Sequence, residues 1–77
     1  MKLKKDVDLK KFVENVKKCA NDVYFETKEG DHLNLKSTLS EYIFVASRVD
    51  NDFLRRGVVL CENVNDFVHL SEFLETV

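Results

Sequence analysis

The sequence predicts a small α+β domain. Three observations carry that reading: a stretch of apolar residues at helical spacing near the N-terminus, two alternating runs around a glycine-containing turn, and a four-residue apolar run followed by a second helical stripe. A chain of 77 residues has room for one core only, because a domain this small buries roughly 60% of the surface its unfolded chain exposes. A single domain over residues 1–77 is expected.

Leu9, Phe12, Val13, Val16, Cys19 and Ala20 follow the i, i+3, i+4, i+7 rule, which predicts an amphipathic helix from Leu9 to Ala20. Asp8 or Asp6 can accept from its first free amides as an N-cap, and Lys10, Lys11, Lys17 and Lys18 fall on the solvated side. Val23 to Lys28 alternates with period two, as does His32 to Lys36, and Glu29-Gly30-Asp31 between them supplies the turn of a β-hairpin. Ser37 and Thr38 are capping residues, and Thr38-x-x-Glu41 has capping-box spacing ahead of Leu39, Tyr42 and Ile43, so a short helix follows the hairpin at once. Ser47 to Asp52 reads as a loop. Val58-Val59-Leu60-Cys61 suits a central strand or one buried on both faces. Asn63 or Asn65 then caps a last helix, with Val64, Phe67, Val68, Leu70, Phe73, Leu74 and Val77 as its apolar stripe.

Composition narrows the class. Apolar residues make up 44% and charged residues of both signs 34%, which argues against disorder. The start of the chain has no signal-peptide pattern, and the longest apolar runs fall far short of the roughly 20 residues of a membrane span. A cytoplasmic protein with Cys19 and Cys61 reduced is expected. Residues 1–18 hold seven lysines and three acids, leaving five bases and eleven acids for residues 19–77. A basic helix is a minimal footprint for nucleic acid. The pI near 5.6 and the absence of aromatic residues among the lysines argue against that partner.

The order helix, strand, strand, helix, strand, helix, together with Leu33-Asn34-Leu35-Lys36-Ser37 leaving the hairpin and opening a helix, resembles HPr, the phosphocarrier family of the bacterial sugar phosphotransferase system. The resemblance runs from about Phe12 to the C-terminus and rests on the family's Val-Asn-Leu-Lys-Ser signature. It implies an HPr-like two-layer open-faced sandwich, an antiparallel sheet in order 1-4-2-3 with three helices on one face. Here the sheet is expected to have three strands plus a short N-terminal one, drawn from Met1 to Lys5. Without that strand the edge of Gly57 to Glu62 is left bare, and a homodimer through the exposed edge is the alternative.

The resemblance also implies function, by what it keeps and what it lacks. The family carries its phosphoryl group on a histidine in a Gly-x-His-Ala-Arg-Pro setting at the start of the first helix. The equivalent stretch, Lys4-Lys5-Asp6-Val7-Asp8, has no His, Arg, Pro or Gly. Ser37 matches the serine that a dedicated kinase phosphorylates in many HPr proteins of low-GC Gram-positive bacteria, with Lys36 beside it and helix amides to receive a phosphate. The alternative role for Ser37 is a plain N-cap. Function is therefore expected to be non-catalytic: an interaction or regulatory module, possessing no cofactor or metal, with Lys36, Ser37, Leu39 and Ile43 at its partner surface. The partner would be a kinase, a transcription regulator or a phosphotransferase component.

Two readings from other classes remain: a phosphocarrier using a non-standard acceptor such as His32, and a structural homodimerising domain. His32 and His69 read as titrating surface residues. Cys61, in an apolar strand, reads as an inert thiol rather than a nucleophile served by His69. The two Cys and two His have no close-spaced pair of the kind zinc requires.

Overall fold

The computed structural model describes residues 1–47 and 51–75. The chain is α+β. In order it forms β1 (Lys2–Leu3), α1 (Leu9–Val16), β2 (Val23–Glu26), β3 (His32–Asn34), α2 (Thr38–Ala46), α3 (Asn51–Arg56) and β4 (Val58–Cys61). A 3₁₀ turn (Val64–Asp66), α4 (Phe67–Leu70), a second 3₁₀ turn (Ser71–Phe73) and β5 (Leu74–Glu75) complete it.

Strands β3, β2 and β4 form an antiparallel sheet in that order, with Phe25 opposite both Leu33 and Val59. Beyond β4 the chain start takes the next place. The Val59 amide donates to the Met1 carbonyl at 2.7 Å, and the Met1 amine donates back to the Val59 carbonyl at 3.3 Å. Such a two-way exchange is the hydrogen-bonded pair of an antiparallel ladder. Strand β1 then pairs antiparallel with β5, Lys2 opposite Glu75 and Leu3 opposite Leu74.

Alternation along the strands decides which face is covered. Val23, Phe25 and Val59 are fully buried, whereas Tyr24, Glu26, His32 and Leu60, on the other face of the pleat, keep access to solvent. Onto the buried face pack Phe12 and Val16 of α1, Phe44 of α2, Leu54 of α3 and Leu70 of α4. Aromatic rings knit this layer. Phe25 lies 5.1 Å from Phe44 and 5.3 Å from Phe53, and Phe12 lies 5.8 Å from Phe44 and 5.7 Å from Phe73. Edge-to-face and tilted pairs at such separations add to simple area burial.

Several expectations change. Helix α1 ends at Val16, short of Ala20, and the following turn buries Cys19 and exposes Ala20. Asp8, not Asp6, caps it, accepting from the Lys11 amide at 3.2 Å. Of the expected loop, Asn51 and Asp52 open a helix, while Arg48 to Asp50 lie outside the described residues. The last helical stretch, capped by Asn63 as expected, runs without a break from Val64 to Phe73, but only Phe67–Leu70 is α-helix, with a 3₁₀ turn on either side and Leu74 passing into β5. Leu74 is buried as a strand residue against Leu3, Val64 and Val68 are more than 70% exposed, and Val77 lies outside the described residues. Strand β4 is neither central nor covered on both faces: it is the outer strand of the three-stranded sheet, with β2 in the middle, and Leu60 is 40% exposed. At the edge expected to be bare, Met1 pairs with Val59, which is the folded-back chain start that the sequence offered as the alternative to a homodimer.

Candidate functional site

Leu33 to Ser37 makes the transition from β3 into α2, and its residues have distinct duties. Leu33 is half-buried against the core, and Leu35 is fully buried, its amide donating to the Val23 carbonyl at 2.7 Å. The Asn34 side chain accepts from the Lys36 amide at 3.0 Å, and its carbonyl accepts from Ser37 at 2.9 Å, so Asn34 shapes the turn from both ends. The Lys36 ammonium donates to the Cys19 carbonyl at 2.6 Å. That bond ties the hairpin exit to the loop after α1 and engages the cation beside Ser37.

Ser37 sits at the N-cap of α2 with extended backbone (φ −84°, ψ 130°), and its carbonyl accepts from Glu41 at 2.9 Å. Its hydroxyl makes no capping hydrogen bond and is exposed. The plain-cap reading is thus corrected: the backbone caps, the side chain does not. The Thr38–Glu41 box does not form either, because the cap lies one residue earlier, at Ser37.

Past Ser37, α2 is apolar nearly all round and only part of it reaches the core. Phe44 is fully buried and Val45 half-buried, yet Leu39, Tyr42 and Ile43 remain 69%, 74% and 43% exposed. Residues at i, i+3 and i+4 share one helix face, so these three make a contiguous apolar strip one turn from the Ser37 hydroxyl. Tyr42 was absent from the expected surface, although its spacing from Leu39 would have placed it there.

The remaining candidates lie elsewhere. His32 is on the open sheet face, its ring stacked on Tyr24 with centroids 4.7 Å apart and its Nδ1 bonded to a Glu26 carboxylate oxygen. That carboxylate would repel an incoming phosphoryl group. His69 is exposed on α4. Burial pushes the Cys61 thiol up to about 11 and raises Cys19, whose Sγ faces the Asn15 and Asp66 carbonyls at 3.8 Å. A residue the sequence did not single out, Asp66, is buried and accepts from two successive amides, Ala20 at 2.9 Å and Asn21 at 3.0 Å. Those bonds hold its carboxyl below the usual aspartate value. Asp66 follows an asparagine in a stripe read as helical, so nothing in the pattern marked it as a clamp.

Among the described residues, no group of three or more His, Cys, Asp or Glu side chains is placed to hold a metal ion, and no helix is long and apolar enough to cross a membrane. No family model, curated protein or solved structure matches this chain.

Proposed function

We propose that this chain is a non-catalytic, HPr-like interaction or regulatory module related to the phosphotransferase system. Its docking surface is the outer face of α2, formed by Leu39, Tyr42 and Ile43, and Ser37 at the same helix start is its phosphorylation switch. The observation that carries the reading is the apolar exposure of α2 beside an exposed serine hydroxyl with no capping bond. Two further features support it. The sheet order β3-β2-β4 agrees with three of the four strands in the order 1-4-2-3 that the resemblance implies, although β1 pairs with β5 and only Met1 bonds to β4. Phosphate on Ser37 would also add negative charge at the positive end of a nine-residue helix, a favourable place for it.

Lys36 has a different part from the one its neighbour position implied. With its ammonium on the Cys19 carbonyl, it fixes the height of the helix start rather than waiting for a phosphate. The docking partner is a protein with an apolar contact of its own, a kinase, a transcription regulator or a phosphotransferase component.

Incubation with ATP and the kinase that modifies the HPr serine tests the switch. The reading expects one phosphate added, located at Ser37 and lost in Ser37→Ala. An unchanged mass removes the switch, and phosphate placed at Thr38 or Ser40 instead overturns the assignment of the residue.

A further inference from the structure

The loop between β1 and α1 is flanked by open space. On one side lies a cavity of about 390 Å³ lined by Leu3, Lys4, Lys5, Val7, Asp8, Leu9, Lys10, Val45, Leu54 and Arg55. That volume falls in the roughly 300–1,000 Å³ range of small-molecule sites. Its two kinds of lining are segregated by burial: Leu3, Leu9 and Leu54 are buried and Val7 and Val45 half-buried, whereas Lys4, Lys5, Lys10 and Arg55 are exposed. The floor is aliphatic and the rim cationic.

Charge at the rim is strongly one-sided. Four cations line the cavity against a single acid, in a chain whose net charge is −2. Asp8 is engaged as the cap of α1 through the Lys11 amide, and Arg55 is paired with Glu75 at 2.9 Å. Lys4, Lys5 and Lys10 have no ion pair among the described residues. An aliphatic lining that shares its cavity with three lysines without ion pairs, two of which also border a second opening beside Asp6 and Glu72, is complementary to a molecule with an apolar tail and an anionic head.

We propose that this cavity binds a small amphipathic anion, a carboxylate with a short aliphatic chain, its tail against Leu3, Val7, Val45 and Leu54 and its head at Lys4, Lys5 and Lys10. The site is separate from the α2 surface and stands or falls independently of it.

Titration of the labelled full chain with octanoate, followed by amide and methyl NMR, tests the proposal. Saturable shifts are expected at Leu3, Val7, Val45 and Leu54. Acetate, which has no tail, and octylammonium, which has the wrong charge, are expected to leave those signals in place. Lys4→Gln and Lys5→Gln, both at exposed positions without an ion pair among the described residues, are expected to weaken octanoate by up to about fivefold each, the scale of a solvent-exposed ion pair. Octylammonium acting as well as octanoate overturns the proposal, as do shifts confined to Leu39, Tyr42 and Ile43. Binding to anionic vesicles without any response to monomeric octanoate also overturns it, in favour of a membrane surface.

Discussion

The ring of Phe25 lies against the backbone of Gly57, so closely that a β-carbon at Gly57 would fall 2.0 Å from Phe25 Cζ. Phe25 cannot withdraw, because it is fully buried with Phe44 and Phe53 on its flanks. The absence of a side chain at Gly57 therefore sets how β4 enters the sheet. Gly57→Ala should destabilise the fold by about 1–3 kcal/mol, the usual range for overpacking a tight core. Urea denaturation checks the value, and Phe25→Leu in the same chain should recover part of the loss, giving a less than additive double-mutant cycle.

Asp66 contributes to acid stability. Its carboxyl is held below the ordinary value of 3.8 by the Ala20 and Asn21 amides, so in the acid range the unfolded chain binds the proton more readily than the folded one. Its contribution is complete above that value and is lost as pH falls through the folded-state value. Asp66→Asn should lower the melting temperature at pH 7 and flatten the stability profile below pH 4, as followed by circular dichroism.

The two thiols should resist modification for the opposite reason. Burial favours the neutral thiol, and with Cys61 raised from 9.0 to about 11 very little thiolate exists at neutral pH. Labelling with iodoacetamide at pH 7.5 should be slow in the folded chain and fast in denaturant. In the window from 9.0 to about 11 the unfolded chain releases the Cys61 proton first, so this residue's share of stability declines as pH rises.

Helix α2 should tolerate substitution where it faces outward. Leu39→Asp and Ile43→Asp should each change the unfolding free energy by no more than about 0.5–1 kcal/mol, since exposed positions contribute little to a folded core. Ser37→Ala should fall below the ~1 kcal/mol of a working N-cap, because its hydroxyl makes no capping bond. Phe44→Ala, on the buried side of the same helix, should cost about 3–5 kcal/mol. Chemical denaturation of the four variants compares the two faces directly.

The parts of this architecture that the sequence reveals are those with long periodic signals. The stripe from Leu9 to Val16 marked α1, and alternation around Gly30, which has φ 105°, marked the hairpin. What stayed hidden depended on partners far along the chain. Two-residue strands such as β1 and β5 have no period to detect, and Leu74 became a strand residue because Leu3 lies opposite it. Helix α3 is only six residues long. At the candidate site, Leu39 and Ile43 were legible as a surface only in part: a helix with apolar residues on opposite sides, Leu39 and Ile43 on one and Phe44 on the other, does not tell which side the core will take. The Lys36 bond to Cys19 spans 17 residues and has no local signature.

The most direct test of the account places a photo-crosslinking amino acid at Tyr42, with a control at Lys17 on the solvated side of the molecule, and irradiates cells of the source organism. The account predicts one discrete protein adduct from Tyr42, none from Lys17, and loss of the Tyr42 adduct when Leu39→Asp is added. No adduct at Tyr42, or the same adduct from both positions, would contradict the assignment of α2 as the docking surface.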